Sequence, residues 1–257
     1  MENIFEILPV QTLSEFRSSE LINPTAALKS FKSNGLPDYE YNAALSAAYS
    51  MACIQEDLDT EKFVNWIKNG ANDMPDEYTD AYSLYNAYLH IRGKSMSRDV
   101  TNEVHTILAE PHLPKVYHGE IRTNPMYVVD KFDKIEYTAC DVKKCDEELN
   151  KLFRDIELLK EETYNGTENA FFAAAIHLAF HKIQPYHNLN MPIARLMEKW
   201  YLMTVYGDEV IALPLEQNYF DNEPLYARNR RKVGKDYFNL NYSRSSAFFA
   251  LSAEAYK

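Results

Sequence analysis

The chain has 257 residues, a formal net charge of -11, 46% hydrophobic and 13% aromatic residues. That size fits one large domain, or a domain with an appendage, and its aromatics can fill a substantial core, while the acidic excess disfavours nucleic acid as a partner. Met1 to Glu6 shows no leader pattern, the run Phe171 to Phe180 is far short of the roughly 20 apolar residues that cross a bilayer, and Cys53, Cys140 and Cys145 make neither a disulfide framework nor a zinc site, so a cytoplasmic protein without membrane contact is expected.

Residues 1–37 lack periodicity and read as an N-terminal extension packed on a main domain of residues 38–240, with 241–257 as a C-terminal segment. Apolar residues at three- and four-residue steps predict helices over Asp38 to Leu58, Asp59 to Lys68, Asp76 to Ile91 and Ser97 to Leu108. Arg122 to Thr138 breaks the pattern with β-branched and aromatic residues around Asp130 to Asp133, which predicts a short hairpin or extended flap. The clearest helix runs from Asp141, a good N-cap, to Lys160. Thr167 to Ile183 is apolar on nearly every side and reads as a central, enclosed helix, and another helix is expected from Pro192 to Tyr206. The seven glycines fall near these boundaries, as helix C-caps and turns would place them.

Ala174 to Trp200 joins the enclosed helix to the next through a short polar loop. Proline suits a first helical position, and a helix start entered from an asparagine-rich loop turns free N–H groups toward whatever lies over it. His177 and His181 share a helical face and His187 follows in the loop, but Leu178 stands where a zinc protease needs its glutamate, so no metal site is expected. Arg228, Arg230, Arg231, Lys232 and Lys235 form the one basic cluster, read as a solvated face, with a phosphate or acidic partner as the alternative.

The segment Gln184-Pro185-Tyr186-His187-Asn188-Leu189-Asn190-Met191-Pro192-Ile193-Ala194-Arg195 resembles the Fic (Fic/Doc, Fido) signature H-P-F-x-[D/E]-G-N-G-R-x-x-R. Ala173, His177, Phe180 and Ile183 match the helix before that signature; Leu84 to Ala87, His105 with Leu108, and Gly119 to Arg122 match further family segments in order. The resemblance implies a mainly α fold, a Fic-type helical bundle with a short β-hairpin flap from Met126 to Tyr137. In the family the motif histidine deprotonates a target hydroxyl for attack on a nucleotide α-phosphate. Gln184 holds that place here, and an amide has no proton-transfer pKa near neutrality.

Asn188 replaces the acid that holds Mg²⁺, Leu189 and Met191 replace the two glycines, and Pro192 replaces the first arginine. Asn190 and Arg195 remain of the polar set, Arg195 serving either a phosphate or an ion pair that orients the loop. Gln55 stands where an inhibitory helix would carry its glutamate. Two readings follow. One is a pseudoenzyme or regulatory binding module that docks a protein segment on Met126, Tyr127 and Val128 by strand addition. The other is a transferase of altered chemistry, moving a nucleotide, phosphate or phosphocholine-type group to a protein hydroxyl with His187 as base. ATP with Mg²⁺ is a ligand only if the ancestral site still works; no other cofactor is expected, and a homo-oligomer remains open.

Overall fold

A computed structural model describes residues 4–18, 26–29, 38–129, 132 and 134–257. Helix starts follow short polar caps, which satisfy N–H groups that no earlier turn can reach. Asp38 accepts from the Tyr41 N–H to open α2 (Tyr39–Ala52), and Asp59 accepts from Lys62 to open α3 (Thr60–Lys68). A 3-10 turn at Asp76–Tyr78 leads into α4 (Thr79–Ile91), and Ser97 caps α5 (Arg98–Ala109). Asp141 accepts from Lys143 to begin α6 (Val142–Leu158), as its sequence pattern predicts. Asn165 and Glu168 form a reciprocal capping box on α7 (Gly166–Ile183). Gly166 therefore opens a helix, whereas Gly70, Gly93, Gly119, Gly207 and Gly234 take the positive φ expected after helices and in turns. Gly35 lies outside the described residues.

Two helices form the centre. α7 is buried on nearly every side and packs along α8 (Asn190–Tyr206), to which it is joined by residues 184–189. α8 begins two residues before Pro192, which sits in the first turn, where a missing N–H costs nothing. Around this pair lie α2, α4 and α6, then α9 (Leu215–Asp221), α10 (Glu223–Lys232) and α11 (Ser246–Ala253). Polar groups on the inner helices are paired. Lys199 meets Glu216, Ser46 Oγ at 2.6 Å and the Ile211 carbonyl, while Tyr88 donates to Glu216 at 2.7 Å. No described helix is long and apolar enough to cross a membrane.

β1 (Tyr127–Val129) and β2 (Ile135–Thr138) pair antiparallel, Tyr127 opposite Thr138 and Val128 opposite Tyr137, with an irregularity between Val128 and Val129. This hairpin is the sheet seen among the described residues. Tyr137 fixes it to the core by donating to the Lys182 carbonyl at 2.6 Å, and Thr138 N–H donates to the Lys235 carbonyl at 2.9 Å. Of the expected hairpin tip, Asp130, Lys131 and Asp133 lie outside the described residues.

The described part of residues 1–37 bears on α6 and α7. Backbone N–H groups of Glu6, Ile7 and Leu8 donate to the Asp155 carboxylate at 2.8, 2.7 and 2.9 Å. Phe16 of α1 (Leu13–Ser18) packs on Phe171 and on Phe249 of α11. A buried carboxylate that receives three N–H donors holds this segment in place. Replacing Asp155 by Ala should lower stability by about 2–3 kcal/mol, the cost of three lost charge-assisted bonds less what water restores. Urea denaturation measures the loss, and limited proteolysis should show earlier cleavage within residues 4–18.

Candidate functional site

The loop from Gln184 to Leu189 is held from below by one arginine. Arg122 is buried; its Nε donates to the Gln184 carbonyl at 2.7 Å, its Nη1 to the Asn124 carbonyl at 2.8 Å, and its Nη2 to the Cys140 carbonyl. Its own N–H donates to the Pro185 carbonyl, and Ile121 bridges Tyr186 in antiparallel fashion. From the other side Asn190 closes the loop on itself: its Oδ1 accepts from the Tyr186 N–H at 2.9 Å and its Nδ2 donates to the Tyr186 carbonyl at 2.8 Å. The same Nδ2 lies 3.7 Å from Met126 Sδ, which brings the flap's first residue against the loop. Tyr186 is fully buried, stacked on His105 at 4.2 Å and bonded to Asn102.

The backbone turns twice through the left-handed region without glycine, at Gln184 (φ 52°) and Leu189 (φ 63°). Each turn costs an L-residue about 1–2 kcal/mol, a cost the tethers to Arg122 and Asn190 sustain. Leu189 stands where the resemblance places a glycine, so the curve is kept and the permissive residue is not.

Gln184 is buried with its side-chain amide 3.0 Å from His181 Nδ1. Arg230 Nη1 lies 3.2 Å from His181 Nε2, and a guanidinium can only donate. Nε2 is therefore the acceptor and Nδ1 carries the ring proton, which the Gln184 amide accepts when it is turned over from the orientation that sets its Nε2 against Nδ1. Burial and the nearby Arg230 hold His181 well below the ordinary histidine pKa, so it is neutral at pH 7. Lys182, buried with its Nζ 4.1 Å from the Tyr137 ring centre, is pushed by burial and by Arg230 down to about 7.

Arg195 faces away from the loop. Its Nε donates to Ser50 Oγ at 2.8 Å, its Nη2 to the Ser50 carbonyl at 2.6 Å, and its Nη1 to the Tyr226 hydroxyl at 3.3 Å. Tyr226 in turn meets His177 Nε2 at 2.9 Å, and His177 Nδ1 lies 2.6 Å from Glu198. Glu198 also accepts from Tyr219 and Ser252. α2, α7, α8 and α10 are thereby joined through one buried polar network. Gln55 is not brought to Arg195; it lies past the end of α2 and donates to the Glu77 carbonyl at 2.9 Å.

Asn188 is exposed and its Oδ1 accepts from the next N–H, that of Leu189, at 2.8 Å. His187 packs its ring 4.3 Å from that of Tyr117, and its Nε2 is buried without a partner among the described residues. Burial, reinforced by Arg122, lowers the His187 pKa, which leaves a neutral imidazole with a free nitrogen. The flap presents Tyr127 and Val129 outward, 51% and 49% exposed, and keeps Val128 half-buried.

Mg²⁺ favours carboxylates and phosphates, and none of the loop positions 184–190 is acidic. The side-chain oxygen of Asn188 accepts the Leu189 N–H, and each guanidinium nitrogen of Arg195 donates to Ser50 or Tyr226. These residues do not fit a magnesium nucleotide as the loop stands. Sequence reasoning missed the partners Ser50, Tyr226, Glu198 and Arg230. It also read Arg230 as part of a solvated face, whereas the side chain turns inward, over the Tyr226 ring at 4.3 Å and against Met191 Sδ at 2.8 Å. The one available signal was spacing: Tyr226 and Arg230 are four apart on α10 and share its inner face.

Residues 95–202 match the model of the Fic/DOC family. No curated protein matches this sequence. A Fic family protein from Desulfovibrio desulfuricans G20 is similar in structure over 98% of this chain and 73% of its own, with a TM-score of 0.73 and 14% identity. A Fic domain containing signaling protein from Bacteroides thetaiotaomicron VPI-5482 is similar over 96% and 92%, with a TM-score of 0.64 and 13% identity. At these identities the likeness is one of fold. Residues 95–202 are thus a Fic/DOC-family region, and the helical architecture around them, hairpin included, is shared with Fic structures.

Two measurements test the loop. Leu189→Gly should leave stability within about 1 kcal/mol of the parent, because relief of the left-handed turn offsets lost packing, while Leu189→Val should cost about 1–2 kcal/mol. Chemical denaturation separates the two. His105 accepts from the Gly119 N–H at 2.9 Å, and burial, with His118 and His187 nearby, pushes its pKa from 6.5 down to about 4. The unfolded chain then takes up a proton between those values while the folded chain does not, so stability falls as pH drops from 6.5 to about 4. This group's share is about 3 kcal/mol, and it should be missing from the acid limb of His105→Asn.

Proposed function

We propose that this chain is a Fic-fold binding module that docks a protein segment along its flap and does not transfer nucleotide. The commitment of Arg195 to Ser50 and Tyr226 carries this reading: the cation that the resemblance would give to a phosphate is buried and donates from each of its three nitrogens inside the core. Gln184 adds to it, since its amide is bonded to His181 and cannot take a proton from a hydroxyl. Losing a general base costs roughly two to four powers of ten in rate. Asn190 is spent on the Tyr186 backbone, and Asn188 on Leu189. The flap supports docking. It is a two-stranded ribbon whose outward residues Tyr127 and Val129 lie on β1, a strand that pairs only with β2 among the described strands, so an extended segment can add its own main-chain hydrogen bonds along the other edge of β1.

The buried, unpartnered Nε2 of His187 favours a second reading, a transferase of altered chemistry with His187 as base. Intact-mass analysis after incubation with ATP, GTP, CTP or UTP and Mg²⁺ decides between them, using the protein itself and a cell lysate as acceptors. The binding module predicts no adduct on either, and none after Gln184→His alone. An adduct that disappears in His187→Ala would establish the second reading in its place.

A further inference from the structure

Positive charge gathers between Arg228 and Lys235 on a chain whose formal charge is -11. The fold divides this cluster. Arg230 turns inward, whereas Arg231, Lys232 and Lys235 line one cleft of about 630 Å³ together with Arg244, and Gly234 and the start of α11 complete its lining. Among the described residues no acidic one lines it. Arg231 pairs with Glu136 on β2; Lys232, Lys235 and Arg244 have no ion-pair partner among the described residues.

Backbone bonds build this concavity. α10 ends at Lys232, and Gly234 follows at φ +149°, where a Cβ would come within 3.1 Å of the Asn239 carbonyl oxygen. Asn241 N–H donates to the Val233 carbonyl at 2.7 Å, closing the loop and returning the chain toward α10 with Arg244. Asn229 Nδ2 donates to the Ala247 carbonyl at 2.9 Å and ties α10 to α11. The Lys235 carbonyl accepts from Thr138, which anchors the cleft's rim to the flap. Hydrogen bonds therefore hold the backbone that carries the four cations on both sides of the cleft.

Four like charges in one concavity repel, and one carboxylate does not balance them. An anion with several charges would. Arginine forks and lysine ammonium groups together suit phosphate oxygens, and the cleft's size admits a discrete anion. The acidic excess over the rest of the chain disfavours a long polyanion. We propose that this cleft binds a small multiply charged phosphate, a di- or triphosphate, through Lys232, Lys235 and Arg244, with Arg231 drawn from Glu136 to complete the site. None of these residues belongs to the 184–195 loop, so the site stands whether or not that loop is catalytic.

Titration calorimetry with inorganic pyrophosphate and tripolyphosphate tests this on the full chain. One saturable site is expected. Lys232→Ala, Lys235→Ala and Arg244→Ala should each weaken it about tenfold, while Arg228→Ala, an exposed cation of α10 outside the cleft, should leave it unchanged. Glu136→Gln should tighten binding, because it frees Arg231. Circular dichroism confirms that the variants fold. No heat with either anion at millimolar concentration, or an equal loss in Arg228→Ala, would overturn the proposal. A phosphoserine peptide that binds more tightly than pyrophosphate would also overturn it, assigning the cleft to a modified side chain. A covalent adduct in the transfer assay would end the binding-module reading and leave this one standing.

Discussion

The buried guanidinium of Arg122 is the point on which the site's geometry depends. It has no carboxylate partner among the described residues; three backbone carbonyls, from Gln184, Asn124 and Cys140, receive its donors. Those carbonyls belong to the 184–189 loop, the approach to the flap and the turn before α6. A desolvated cation is tolerable only if its hydrogen bonds are satisfied, so each of the three segments is constrained by the demand of one side chain. The bonds between the Arg122 N–H and Pro185, and between Asn190 and Tyr186, then set the loop's internal shape. Flap and loop thus share one support.

The same logic separates two populations of cations. Arg122, Arg195, Arg230 and Lys182 are turned inward and meet carbonyls, hydroxyls, a thioether or aromatic faces. Lys232, Lys235 and Arg244 are turned toward a cleft. Burial keeps the His181 imidazole neutral, and Arg230, Lys182 and Arg195 of the inner group add to it. The first group belongs to the architecture, and the second is free to meet a ligand.

Much of the helical frame was legible because its signals are local. Asp38, Asp59, Ser97 and Asp141 each mark a helix start by bonding an N–H two or three residues away. The start of α8 was misplaced by two residues because proline is tolerated throughout the first turn, so Pro192 fixes only the neighbourhood. The β-branched and aromatic run from Arg122 to Thr138 placed the hairpin, and the resemblance to Fic signatures placed the loop. The partners of Arg195 were not legible. Ser50 lies far along the sequence, and nothing in the composition of α2 distinguishes Ser50 from Ser46, which serves Lys199 instead. Gln55, the residue that motif spacing favoured, falls past the end of α2, where the chain has already turned to bond Glu77.

The covering of α7 has a consequence for synthesis. This apolar helix is enclosed on one side by Phe16 of α1 and on another by Phe248 and Phe249 of α11, and Phe16 and Phe249 touch each other over it. Translation delivers α1 first, α7 much later and α11 last. During that interval α7 lacks a wall, and Phe171 and the buried His177 remain open to solvent or to other nascent chains. Completion of the core therefore waits until α11 has emerged, so the wall that covers α7 is assembled from segments made far apart in time.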